Sequence, residues 1–178
     1  IIVAAVMIGL LVVKGYNGLV VLKNRVANQA AQIDVQLKRR ADLIPNIIET
    51  TKGYAHYEKE TLNSITKLRT QILSTDNIEA SYQASEQLGK LSGQMIAVGE
   101  QYPDLKANTN FLQLQQELSE TEDRISKARQ FYNDTVTKYN DAIMVFPNSI
   151  IAKLFGFRRV ALLEIKGSET EMVKINGD

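Results

Sequence analysis

The sequence predicts an all-α protein in which an N-terminal transmembrane helix continues into a long antiparallel four-helix bundle of up-and-down topology, followed by a short amphipathic C-terminal segment. Three observations predict it. Residues Ile1 to Val13 form an uninterrupted apolar run. Four later segments repeat apolar residues at steps of three and four, the period of one helix face. The last of these carries a heptad ladder, Phe111, Leu114, Leu118, Thr121, Ile125, Ala128, Tyr132, Thr135, Tyr139, Ala142 and Phe146, a seam that needs partner helices to cover it.

Composition narrows the functional classes. The 178 residues are 44% hydrophobic, enough for one domain that buries roughly 70% of its unfolded surface. The 21 basic and 20 acidic residues nearly cancel, which argues against the clustered positive surface that nucleic acid requires. Cysteine is absent, so disulfides, thiolate metal sites and cysteine nucleophiles are excluded.

Residues 1–15 read as the anchor. Thirteen apolar residues fall short of the about 20 that span a bilayer. The expectation is therefore that upstream residues are missing or that the span continues past a snorkelling Lys14, with Tyr16 at the interface. A signal peptide fits less well, because no small-residue cleavage pattern follows and the apolar stripe runs directly into the next helix. Lys14, Lys23 and Arg25 precede any acid, and the positive-inside rule then favours a single-pass membrane protein with a cytoplasmic body.

Residues 16–146 read as the bundle. The first face is Leu19, Leu22, Val26, Ala30, Ile33, Leu37, Ala41 and Ile44, and Pro45 is expected to break or kink the helix there. The second segment carries Ile48, Thr51, Ala55, Leu62, Ile65, Leu68 and Ile72. Asp76 with Glu79 reads as a capping box opening a third helix, which ends at Pro103. The fourth runs from about Thr109 to Ala142 and closes at Pro147. A break at Pro45 gives segments of about 28, 28, 26 and 35 residues, about 40 to 50 Å each, which suits a four-helix bundle better than the three-helix rod an unbroken first helix would make.

Residues 147–159 read as an amphipathic segment capped by Asn148 or Ser149, with Ile150, Ile151, Leu154, Phe155 and Phe157 as its apolar face. Lys153, Phe155, Phe157, Arg158 and Arg159 are the expected membrane-surface contacts. The same apolar residues could instead cap the open end of the bundle. Residues 160–178 read as a tail or a β-hairpin around Gly167 and Ser168.

Chemistry-bearing residues are few. His56, the single histidine, has Glu60 four residues on, but a carboxylate-bridged metal site in a bundle needs a second histidine. No serine sits in a nucleophile turn, and no glycine-rich phosphate loop occurs. No catalytic, cofactor or metal residue is therefore assigned. The densest polar group is Asp34, Lys38, Arg39, Arg40 and Asp42. It reads as a helix corner with complementary charges, or as a paired-arginine surface on which an acidic partner or neighbouring subunit docks.

The stretches YNGLVVLKNRV, IDVQLKRRADLIPNIIETTKGYAHYEKETL, YPDLKANTNFLQLQQELSETEDRISKARQFYNDTVTKYN and FPNSIIAKLFGF resemble the LemA family of bacterial membrane proteins over Tyr16 to Phe157. That resemblance implies a single-pass protein of the bacterial cell membrane, with one N-terminal membrane helix followed by an antiparallel helical bundle, and implies no catalytic activity or cofactor. Ala27 to Ala30 depart from the acidic, tryptophan-containing sequence usual there, and the tail after Val160 reads as an extension. The expected function is a non-enzymatic, membrane-anchored scaffold or interaction protein of the bacterial envelope. Its expected partners are membrane lipid and protein partners or further copies of the chain, without nucleic acid. The alternative is a membrane-remodelling or membrane-organising assembly that uses the amphipathic segment as a lipid wedge.

Overall fold

The computed structural model describes residues 2–54 and 59–164. Six helices follow one another: α1 (Ile2–Thr51), α2 (Lys59–Ser74), α3 (Ile78–Gly99), α4 (Pro103–Lys106), α5 (Thr109–Met144) and α6 (Asn148–Phe155). No strand occurs among the described residues. The expected all-α class with an apolar N-terminal helix is present. The hairpin expectation around Gly167 lies outside the described residues, as does His56.

The main correction concerns Pro45, which does not end the first helix. α1 passes through it for 50 residues. A proline in a helix leaves the carbonyl four residues back without its amide partner. Here that carbonyl belongs to Ala41, and Arg69 of α2 donates its Nε–H to it at 3.1 Å. The orphan acceptor is satisfied from a neighbouring helix, and the ring of Pro45 faces outward, exposed. The chain turns at Thr51 to Tyr54 instead, where the Tyr54 amide bonds the Thr51 carbonyl at 3.0 Å. The bundle helices are accordingly of unequal length.

Caps differ from expectation in one place. Asn77, not Asp76, opens α3, its Oδ1 accepting the amides of Glu79 (3.0 Å) and Ala80 (3.1 Å). Asn108 opens α5 in the same way, through the amides of Asn110 and Phe111. Both are ordinary N-cap geometry. Pro103 does not merely stop α3 but occupies the first turn of α4, where its missing amide is no loss.

α1 is the common packing partner. Its buried residues Leu19, Val26, Ile33, Leu37, Ile44 and Ile47 meet Ile65 and Ile72 of α2, Tyr82, Leu88 and Met95 of α3 and Ile125, Tyr132, Val136 and Tyr139 of α5 in one core. α5 runs antiparallel to α1: Arg40 pairs with Glu122, and Gly15 lies against Ile151 beyond the end of α5. The Ala30–Ala31 stretch lies beside Ile78, and Arg40 meets Ser85, so α3 runs parallel to α1. A smaller cluster of Ile96, Leu105 and Phe111 closes the far end.

The α5 ladder does not stay in heptad register. Thr121, Tyr132 and Ile143 are buried at intervals of eleven, as are Ile125 and Val136, whereas Phe146 is 76% exposed. A straight helix drifts by about 20° per heptad, so Val136, Asn140 and Ile143 join the buried side while Thr135 and Ala142 become half-buried. Phe146 lies beyond the end of α5 at Met144.

After α6, Gly156 takes a left-handed conformation (φ 73°) and the Phe157 amide bonds the Ala152 carbonyl. The following segment runs extended along α5. Asn140 accepts the Val160 amide through Oδ1 (3.0 Å) and donates Nδ2–H to the Val160 carbonyl (2.9 Å). Asn133 does the same to Leu163, at 2.9 and 3.0 Å. Seven helical residues rise about 10.5 Å and three extended ones about 10 Å, so the two clamps match in spacing. Tyr139 adds a bond from its hydroxyl to the Arg158 carbonyl at 3.0 Å, and Leu163 is buried in the core.

Each asparagine satisfies both backbone groups of one strap residue, so removing either strands a donor and an acceptor. Asn133→Ala and Asn140→Ala are each expected to cost about 1–3 kcal/mol and to abolish hydrogen-exchange protection at Leu163 and Val160 respectively. Retained protection in both variants would show that the clamps do not hold the strap.

Candidate functional site

The five residues expected to form a docking corner do not sit at a corner, because α1 runs on to Thr51. They also point in different directions. Lys38 and Asp34 pair at 2.7 Å on the surface, and the hydrogen bond to Asp34, then its charge, raises the Lys38 pKa. Asp42 lies 3.6 Å from Arg69, the residue that serves Ala41. Arg39 is exposed. Arg40 is 1% exposed, so a paired-arginine surface is excluded.

Arg40 is on the seam of α1. Ile33, Leu37, Arg40, Ile44 and Ile47 follow steps of four, three, four and three, a pattern legible in the sequence once Arg40 is allowed a core position. Its Nη1 donates to the Ser85 carbonyl (2.8 Å) and to Ser85 Oγ (3.0 Å), and Nη2 faces the Glu122 carboxylate. Gly89, one turn after Ser85, gives the guanidinium its space: a Cβ there would stand 3.0 Å from Nη1 and 3.3 Å from Cζ. Burial lowers the Arg40 pKa, and the Glu86 charge opposes that shift. A buried charge without such partners would be far too costly. Glu122 is itself 56% exposed, so this ion pair joins the interior to solvent in the cleft between α3 and α5. Tyr82 lies beside it, its hydroxyl pushed up to about 12 by burial and then by the Glu86 carboxylate.

The second assembly is the corner where α5 ends and α6 begins. α6 turns Ile151 and Ala152 inward and lies across α1 at Gly15, where any side chain would collide with Ile151. The Tyr16 ring packs on Phe155 (4.8 Å between centroids) and on Phe157 (5.8 Å). Lys23 places its ammonium 5.9 Å from the Phe157 ring centre, within reach of a cation–π contact. Of the expected surface residues, Lys153, Phe155, Arg158 and Arg159 are exposed, whereas Phe157 packs against the core. Neither Asn148 nor Ser149 caps α6: Pro147 holds the cap position, with no side-chain bond. Sequence reasoning missed Met144, Val145 and Phe146 as surface residues. Phe146 is the last rung of the ladder, but α5 ends at Met144 and the backbone turns extended at Val145, so Val145 and Phe146 lie beyond the helix.

Among the described residues no group of three or more His, Asp or Glu side chains is placed to hold a metal ion. Glu60 opens α2, while its proposed companion His56 lies outside the described residues.

A family model described as the LemA family matches residues 29–176. The match runs through the tail, so the stretch after Val160 is not an extension. Protein LemA of Metamycoplasma hominis is 30% identical over 155 residues, covering 86% of this chain and 70% of that protein. Magnetosome protein MamQ 2 of Paramagnetospirillum magneticum is 24% identical over 177 residues, 85% of this chain and 65% of its own length. Magnetosome protein MamQ of Magnetospirillum gryphiswaldense is 23% identical over 171 residues, 82% and 63%. The chain thus spans just under two thirds of these magnetosome proteins.

Two outcomes follow from the Arg40 centre. Gly89→Ala ordinarily gains about 1 kcal/mol within a helix, but here it should destabilise, because Ser85 and Glu122 pin the guanidinium it presses on. In an Arg40→Met background the same change should become stabilising, a sign reversal read by a double-mutant cycle of unfolding free energies. For Tyr82 the neutral form is favoured by folding, so its contribution is present below the unfolded value of 10.0 and is lost as pH rises from about 10 to about 12. A Tyr82→Phe variant should show a shallower loss of stability over that window, in alkaline melts.

Proposed function

The chain belongs to the LemA family, and from that premise we propose that it is a membrane-anchored, non-enzymatic scaffold of the bacterial envelope that self-associates and presents its bundle to protein partners. The observation that carries this reading is the continuity of α1. Its first residues are apolar and turned outward, from Ile2 at 80% exposure to Val13 at 57%. In water that surface would be unsupported, and by length and composition the helix is suited to crossing a membrane. The same helix then forms the spine of the bundle without a break.

Anchor and body therefore behave as one element, crossing the membrane once. From Tyr16 to Thr51 it rises about 53 Å. Lys14, Lys23 and Arg25, ahead of any acid, favour a cytoplasmic body. Among the residues expected to dock partners, Arg39 is exposed and Asp34, Lys38 and Asp42 remain on the surface in pairs, so the flank of α1 takes the place of the corner. A second reading, an assembly that organises or deforms membrane, is favoured by the apolar outer side of α6. The likeness to magnetosome proteins is compatible with it.

The detergent-solubilised full chain is expected to migrate as a complex heavier than one 19.9 kDa polypeptide, with co-purifying chains resolved by native mass spectrometry. A bare monomer without companions would refute self-association. Vesicles tubulated or vesiculated by the chain alone, seen by cryo-electron microscopy, would establish the second reading instead.

A further inference from the structure

We propose that the α5–α6 corner is a second membrane contact, seated in the headgroup and acyl boundary of the anionic bilayer that holds the anchor; this rests on the anchored reading above. Three observations carry it. The first is position. α6 crosses α1 at Gly15 and Tyr16, and Leu19, one turn on, is already buried by protein. The corner therefore stands where α1 passes from an exposed apolar surface into the bundle.

The second is the outward face. Met144 (59%), Val145 (59%), Phe146 (76%), Ile150 (60%), Leu154 (74%) and Phe155 (50%) are all exposed, within twelve consecutive positions. Elsewhere on the bundle the exposed large apolar residues, such as Val35, Leu73 and Phe131, are scattered singly, which is ordinary for a protein surface. A cluster at this one level, continuous with the anchor, is not.

The third is charge. Residues 1–33 and 142–163 contain no Asp or Glu at all, while supplying Lys14, Lys23, Arg25, Lys153, Arg158 and Arg159. The chain is nearly neutral as a whole, yet its anchor end is purely cationic in these stretches. An apolar face rimmed by cations is what an anionic interface selects, and each basic residue near such a surface contributes about 1 kcal/mol. A second protein copy covering the patch would have to bring its own cations against these.

The chain has no cysteine, so single cysteines can report depth in the full-length protein. Ile150→Cys and Leu154→Cys, labelled with an environment-sensitive fluorophore, are compared in phosphatidylglycerol–phosphatidylcholine vesicles with Ile8→Cys in the anchor and Leu112→Cys at the far end. A nitroxide-bearing lipid should quench positions 150 and 154 several-fold more than 112. Replacing Lys153, Arg158 and Arg159 by Glu should reduce quenching at 154 and leave that at Ile8 unchanged. Quenching at 150 and 154 no greater than at 112 overturns the proposal. Blue-shifted emission there without lipid quenching overturns it in favour of a second protein copy. Absence of quenching at Ile8 refutes the anchored reading itself, and this proposal with it.

Discussion

Everything in this molecule is arranged around one helix whose first part is apolar and exposed and whose second part is buried by its neighbours. The first part of α1 is apolar on every side and is long and apolar enough to cross a membrane. From Leu19 onward it narrows to the stripe Leu19, Val26, Ile33, Leu37, Ile44 and Ile47, which is fully covered by protein. α2, α3 and α5 each bury an apolar face against it, and α6 shelters the crossover point. The continuity of the helix is protected even at its weakest position, where Arg69 replaces the hydrogen bond that Pro45 cannot make.

The one strongly polar residue on that stripe explains how α3 finds its place. Arg40 needs an acceptor and, one turn further along α3, an absence of side chain. Ser85 followed by Gly89 is the only serine-to-glycine pair at a spacing of four in α3. Sliding α3 by one turn in either direction would offer Ser81 with Ser85, or Gly89 with Gly93, losing either the gap or the hydroxyl. An apolar residue at position 40 would accept several such registers. The specificity gained through a buried polar contact is a role such groups have in other helical assemblies.

Much of this was readable from the order of residues alone: the helical class and the long helix α5 follow from periodicity, and the apolar N-terminal helix from an uninterrupted apolar run. What periodicity could not supply were contacts between residues distant in sequence. Pro45 reads as a breaker because local rules see the lost amide but not Arg69, 28 residues away. Arg40 reads as a surface cation because charge is assigned outward by default, although its spacing from Ile33 and Ile47 places it on the seam. The strap after Gly156 reads as a tail or a hairpin strand, because the side chains that hold its backbone, Asn133 and Asn140, lie 30 and 20 residues away. Phe146 fits a heptad on paper but lies outside the core because α5 ends at Met144, two residues before it.

The unbroken passage of α1 from its exposed apolar part into the bundle also has a mechanical meaning. Membrane helices change tilt as the surrounding bilayer thickens or thins. With the helix continuous from Tyr16 to Thr51, a change of about 10° at its apolar end swings the far end through about 9 Å. α1 is in this respect a lever, and a tilt set at its apolar end is delivered undiminished to the far end of the bundle.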